Sequence, residues 1–229
     1  MIQMKYLLLL CFLLTIQFSW AQPTELQEKI KQKELQTEFF EAVLEGKMEL
    51  VKKMLADGFD LKTTDNYGRI ALHESAIFGK NEVTKLLIER GSAVNTKDKS
   101  GNTPLHLAAN MRSPFDEGNI KSIRLLIANG ADALAKNNEG FNPLEYAIHS
   151  EHTEALQLLV DKGCPVNKKY EDGKTLLHQT AWGGRITATQ ILIAAGANLY
   201  AKDNDGKTPL DVATYHTVVD MLKEAMGKE

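Results

Sequence analysis

Apolar residues along this chain fall on a helical period, and they do so in short, evenly spaced bursts. Five segments carry the i, i+3, i+4 stripe of an amphipathic helix: Val51/Met54/Leu55, Thr84/Leu87/Ile88, Ile123/Leu126/Ile127, Leu156/Leu159/Val160 and Thr189/Leu192/Ile193. Ahead of each of the last four stands a shorter apolar stretch with one buried-type leucine near its start: Leu72, Leu105, Leu144, and Leu176 or Leu177. Leu210 repeats the arrangement near the end of the chain. Small pairs follow, such as Ser75-Ala76, Ala108-Ala109 and Thr180-Ala181, which let neighbouring helices approach closely. The pattern predicts short inner helices alternating with outer helices. No long parallel sheet, nucleotide loop or second domain is left to place.

Glycines punctuate these segments in two series. One stands at Gly68, Gly101, Gly140, Gly173 and Gly206, spaced 33, 39, 33 and 33; the other at 58, 91, 130, 163, 196 and 227 carries the same period and the same six-residue insertion. The first series opens a motif that reads Gly68-Arg-Ile-Ala-Leu-His73, Gly101-Asn-Thr-Pro-Leu-His106, Gly140-Phe-Asn-Pro-Leu-Glu145, Gly173-Lys-Thr-Leu-Leu-His178 and Gly206-Lys-Thr-Pro-Leu-Asp211. Glycine there permits the positive φ of a tight turn. Pro104, Pro143 and Pro209 fit the first helical turn, where a missing N–H is harmless. Thr103, Asn142, Thr175 and Thr208 stand where a side-chain oxygen caps the helix. The second series suits the C-terminal ends of the outer helices.

These motifs resemble the ankyrin repeat, with its period of 33 and its signature Thr-Pro-Leu-His-x-Ala. Gly101–Ala109 fits that pattern across its length; the departures are the missing proline after Gly68 and Gly173, and Glu145 and Asp211 in place of histidine. The resemblance implies an all-α repeat solenoid, a stack of helix-turn-helix units joined by β-hairpin-like loops. It places six repeats over residues 35–227: 35–67 as an N-terminal cap, 68–100, 101–139 with the insertion, 140–172, 173–205, and 206–227 as a C-terminal cap. Residues 22–34 form a charged helical extension. The insertion falls at about Arg112–Glu117, between inner and outer helices, and reads as a loop. The resemblance further implies that His73, His106 and His178 bridge neighbouring turns by hydrogen bonds, and that partners contact the hairpin tips and the concave face of the inner helices.

Residues 1–21 have a different character. Lys5 precedes a nearly unbroken apolar run, Tyr6–Phe18, and Ser19-Trp20-Ala21 places small residues at −3 and −1 of a cut before Gln22. The run is shorter than the ~20 residues of a spanning helix, so the expectation is a cleaved signal peptide, export to the periplasm or exterior, and no stable membrane insertion afterwards. The alternative is an uncleaved membrane anchor. Cys11 leaves with the signal, and Cys164 is then a lone thiol in a small, packed position. The 27 basic and 30 acidic residues are balanced and offer no basic footprint for nucleic acid.

The chemistry of a catalyst is missing from the pattern. His73, His106 and His178 occupy one slot in different repeats, and helices ~10 Å apart cannot share a metal through ~2 Å bonds. His149 and His152 are a weak metal pair. No nucleophile–base arrangement or phosphate loop occurs, and no cofactor is expected. What the chain does offer is large apolar side chains at exposed-type positions nine and ten residues after each motif glycine: Phe78, Met111, Trp182 and Tyr215. Phe115 in the insertion, Arg69 and Phe141 beside the motif glycines, and the tip Lys168-Lys169-Tyr170 complete a candidate partner surface. The expected function is a non-catalytic, exported protein-interaction module, monomeric alone. An immunity-type or accessory protein that inhibits or shelters one enzyme or toxin, and a host-directed effector, are the alternatives.

Overall fold

The computed structural model describes residues 24–110 and 116–227, and the chain divides into two compact units at Glu41/Ala42. The first unit, as far as it is described, belongs to helix α1 (Glu25–Glu45), which continues unbroken into the second. Thr24 and Gln27 cap its start reciprocally, each backbone N–H donating to the other's side chain at 2.9 and 3.3 Å. Phe39, on the slot the motif leucine takes elsewhere, is fully buried and meets Phe40 edge to face.

In the second unit, among the described residues, the remaining helices run from α2 (Met48–Ala56) through inner and outer partners in turn. These are α3 (Ala71–Ile77) with α4 (Asn81–Glu89), α5 (Pro104–Ala109) with α6 (Asp116–Ala128), and α7 (Pro143–Ser150) with α8 (Thr153–Asp161). After them come α9 (Leu176–Trp182) with α10 (Ile186–Ala194), and α11 (Pro209–Val212) with α12 (His216–Met226). The fold is an all-α solenoid. Its only strand-like pairings among the described residues are isolated bridges, Thr64 with Ile70 and Lys169 with Thr175, at the bases of hairpins.

Local sequence explains the starts of α5, α7 and α11. Asn142 Oδ1 accepts from the Leu144 N–H at 2.9 Å, and Thr208 Oγ1 from the Asp211 N–H at 3.3 Å, while Pro104, Pro143 and Pro209 take the first turn. The core runs the length of the stack: Leu72, Leu105, Leu144, Leu176 and Leu177 from the inner helices, and Leu87, Ile123, Leu126, Leu159 and Leu192 from the outer ones, are buried. Each turn of the second glycine series has positive φ except Gly227, which closes α12 at φ −81° in the right-handed region.

The insertion differs from its expected form. Met111–Phe115 lie outside the described residues, but Asp116 and Glu117 are helical, and α6 is 13 residues long against nine for α2, α4, α8 and α10. Part of the extra sequence therefore adds a turn to the outer helix. One other departure lies at the end of α7. Glu151 occupies the slot filled elsewhere by Gly79 and Gly184 and adopts φ 59°, the one non-glycine with positive φ among the described residues. Its carboxylate lies 3.5 Å from Arg185, an exposed contact of small worth. Glu151→Gly is expected to raise stability by about 0.5–1 kcal/mol, relief of left-handed strain exceeding the added chain entropy. Urea unfolding of the two proteins measures it, and an unchanged or lowered midpoint contradicts it.

Candidate functional site

Three histidines tie a helix pair to the next, at three of the junctions. His73 Nε2 donates to the Asn102 carbonyl at 3.1 Å, His106 Nε2 to Phe141 at 3.0 Å and His178 Nε2 to Lys207 at 3.0 Å. Nδ1 of each ring accepts the N–H at its own helix start, from Ile70, Thr103 and Thr175. Each ring therefore spans a helix cap and the following hairpin. Burial pushes the pKa of His73 and His106 below the ordinary value, against the opposing pull of their backbone acceptors.

The hairpins stack by a second set of ties. Lys99 N–H donates to Tyr67 O at 2.9 Å, Asn138 N–H to Ser100 O at 3.0 Å and Asn204 N–H to Asp172 O at 3.0 Å. A third set runs along the outer loops: Asn95 bonds Gly130 O and Asp132 N–H, and Asn167 bonds Gly196 O and Asn198 N–H.

The first two sets lapse between the α7–α8 pair and the α9–α10 pair, and the third lapses one step earlier, between the loops that leave α6 and α8. Glu145 replaces the histidine and has no proton to give the next hairpin. The equivalent hairpin bond, from Glu171 N–H to Glu139 O, is not formed. Leu134 stands where Asn95 and Asn167 stand, opposite Pro165, which has no N–H to offer. A Cβ at Gly101 or Gly173 would come within 2.7 Å of Asn138 N or 2.8 Å of Asn204 N, but one at Gly140 would meet nothing within 4 Å. Inner helices α3, α5 and α7 lie against one another, as do α9 and α11, whereas α7 and α9 stand apart; outer helices α8 and α10 stay packed.

A different cluster fills the floor of this seam. Lys168 Nζ donates to Glu145 Oε1 at 2.6 Å and to Gly140 O at 2.7 Å, and the Tyr170 hydroxyl donates to the same Oε1 at 2.5 Å. Glu145 Oε2 accepts the Asn142 N–H, capping α7. The ammonium also sits 5.5 Å from the Phe141 ring centroid and 4.8 Å from that of Tyr170. Burial and the Glu145 carboxylate push the Tyr170 phenol up, which keeps it a donor. Above this floor a cavity of about 250 Å³ is lined by Phe141, Glu145, Tyr146, Tyr170, Glu139 and Gln179, with Asn110 and His149 at its edges. A second, of about 540 Å³, shares His149 and Gln179 and continues past Trp182 to Asp203, Asp205 and Lys207.

The expected surface residues divide accordingly. Trp182 is 69% exposed, Tyr215 57% and Phe78 44%, all on the inner-helix side; Met111 and Phe115 lie outside the described residues. The Trp182 carbonyl accepts from Thr214 Oγ1 at 3.2 Å, which steadies its backbone while the indole stays open. The Tyr215 ring lies against Gly184, where a Cβ would come within 2.5 Å of ring atom Cε2. Lys169 is exposed and reaches Lys202 O at 3.1 Å. Arg69, Lys168 and Tyr170 turn their polar ends inward. The Arg69 guanidinium holds Asp65 and Glu74 at 2.8 and 2.9 Å, and Lys168 and Tyr170 hold Glu145. Phe141 is half-buried as a cavity wall. Sequence reasoning passed over Tyr146, Gln179 and Glu139, while Phe141, Tyr170, Trp182 and the histidine-to-glutamate change at 145 marked the spot.

Family models described as ankyrin repeats match residues 39–132 (three copies), and 111–160 and 159–213 (many copies). The chain belongs to the ankyrin-repeat family. Over 52 residues it is 46% identical to ankyrin repeat domain-containing protein 1 of Xenopus tropicalis, a stretch covering 23% of this chain and 15% of that relative. Ankyrin repeats imply a protein–protein interaction module, and proteins built from them are typically non-catalytic. Among the described residues no three His, Cys, Asp or Glu side chains gather as metal ligands, and no helix is long and apolar enough to cross a membrane. His152 is buried and caps α8 through Nδ1 at 3.4 Å, while His149 is exposed. Cys164 is buried, its Sγ donating to Ala133 O at 3.2 Å, and desolvation pushes its thiol up to about 12, far from nucleophilic character.

These ties have consequences for stability. Buried imidazoles with lowered pKa bind fewer protons folded than unfolded, so their contribution to stability is complete above about pH 6.5. It is lost as pH falls from there through the lowered folded values. The melting temperature is expected to drop on acidification, and less steeply in a His73→Gln, His106→Gln variant; parallel slopes contradict this. At the seam, Lys168→Met leaves the buried Glu145 carboxylate without its cation and is expected to cost about 3–5 kcal/mol in urea unfolding. Adding Glu145→Gln recovers part of it.

Proposed function

We propose that this ankyrin-repeat protein is a non-catalytic interaction module that holds a partner protein on the inner-helix side of its stack, around Phe78, Trp182 and Tyr215. The observation that carries this reading is the Trp182 indole, 69% exposed on α9 with Gly183 and Gly184 beside it and a cavity at its foot. An aromatic ring with little cover loses solvent-exposed apolar area on docking, and residues of this type dominate interface energetics. Lys169 and the neighbouring tips, Met111 and Phe115 extend the same proposed surface. Arg69, Lys168 and Tyr170 serve it indirectly, by fixing the hairpins.

The proposed setting is the periplasm or exterior, reached through cleavage before Gln22. Lys5, the apolar run Tyr6–Phe18 and Ser19-Trp20-Ala21 support it; these residues lie outside the described ones. The chain is proposed to act as a monomer, without a cofactor. Crosslinking in the native compartment followed by mass spectrometry identifies both the partner and the mature N-terminus. Trp182→Ala with Phe78→Ala is expected to reduce partner capture at least about tenfold, given ≥ ~2 kcal/mol for a hot-spot aromatic. Undiminished capture by a variant with unchanged melting temperature sinks the surface, and a mature chain that retains residues 1–21 sinks the cleavage.

A further inference from the structure

The seam between α7 and α9 differs from the other junctions in its chemistry as well as its width. The groups left facing the two joined cavities are mostly acceptors. Asp172 is paired with Lys174 at 2.9 Å, Arg185 lies near Glu151, and Glu145 is saturated by Lys168, Tyr170 and its own helix cap. Asp203 accepts two backbone N–H groups of its own turn, from Asp205 and Lys207. That leaves Glu139, Asp203 and Asp205 against Lys207 and Arg185, whose contact with the exposed Glu151 is loose. Glu139 and Asp205 are exposed, and neither side chain has an ion-pair partner among the described residues. Alongside these carboxylates stand π-faces: Phe141, Tyr146 and Tyr170 wall the smaller cavity, and Trp182 opens on the larger one. Carboxylates combined with aromatic faces suit a cation on a long apolar stem, the chemistry of lysine and arginine.

Resting on the proposed interaction surface, we propose that the seam receives an extended, basic segment of the partner protein. One lysine or arginine enters the 250 Å³ cavity, its stem against Phe141 and Tyr146 and its charge toward Glu139. A second lies over the Trp182 indole with its charge toward Asp205. The spacing is consistent with an extended chain. Three residues of polyproline-II chain advance about 9.3 Å and return side chains to the same side, against about 8–10 Å between packed inner helices and more across the open α7–α9 junction. Glu139 and Asp205 hold the same tip position two helix pairs apart, with the Asp172–Lys174 pair between them, so basic side chains six or more residues apart would face both. The carboxylates act as a filter too, since an acidic segment would meet like charge along the seam.

Selection of random twelve-residue displayed peptides against the full chain tests this. Lysine or arginine is expected to enrich, with two basic positions six or more residues apart, and binding of the labelled winners is expected to weaken with added salt. Glu139→Gln with Asp205→Asn should reduce their affinity at least about tenfold, and Trp182→Ala similarly. All three side chains are exposed, so melting temperatures should hold, and Tyr67→Ala, on a distant tip, should change nothing. Enrichment of acidic or uncharged apolar peptides, absence of any enrichment, or basic winners indifferent to these variants overturns the proposal. Should partner capture nonetheless fall with Trp182→Ala, the interaction surface stands and only the basic segment is lost; capture that survives Trp182→Ala removes the surface itself.

Discussion

Everything in this stack depends on how one helix pair is held in register with the next. A solenoid has no distant contacts to fall back on, because each unit buries its apolar face only against its neighbours. The imidazoles of His73, His106 and His178 carry that register: one nitrogen accepts at the start of its own helix and the other donates across the junction. This demands a neutral ring with its proton on Nε2, the tautomer its two partners require. A second proton on Nδ1 would face a backbone N–H and break the cap. The same residue thereby joins secondary structure, repeat stacking and the response to acid.

At Glu145 that tie is exchanged for another. A carboxylate can cap α7 but cannot donate forward, so the link must come back from the next hairpin. Lys168 and Tyr170 supply it, reaching toward Gly140 and Glu145 with side chains longer than the bond they replace. The missing hairpin bond, the uncrowded Gly140 and the separation of α7 from α9 belong to the same exchange. Outer helices α8 and α10 remain packed, so the opening is on the inner side, where Trp182 and the aromatic-walled cavity lie.

The periodic part of this molecule is legible in its sequence because one local solution is written five times. Glycine for positive φ, proline in the first turn, a capping oxygen, a buried leucine and the motif histidine each answer a local requirement, and spacing alone sets their roles. The seam is legible only in part. The change to Glu145 is plain against its neighbours, but its partners lie 23 and 25 residues away on a tip that reads as solvated. Arg69 misleads for a related reason: a guanidinium beside a turn glycine looks free until Asp65 and Glu74 are seen to fold around it. The insertion reads as a loop because comparison with neighbouring repeats counts extra residues without saying which of them continue a helix. Trp182 is the opposite case, since Gly183 and Gly184 beside it leave no local cover for its ring.

The position of Trp182 makes one further link between stability and recognition. The residue sits on the far lip of the seam, in the pair that is bound normally to the next one: His178 donates to Lys207, Asn204 bonds Asp172, and Thr214 holds the Trp182 carbonyl. Tyr215 resting on Gly184 adds a contact from the same direction. The open junction is therefore bordered on one side by a fully tied segment that presents the indole from a fixed backbone, which lowers the ordering entropy a partner must offset on docking. On the other side Lys168 holds the cavity floor in place by neutralising Glu145, so the lip and the floor are each secured by contacts outside the groove itself. A relaxed junction between two well-tied blocks can expose aromatic surface without loosening the helices that carry it, which a uniform stack, with every inner helix in close contact with the next, cannot do.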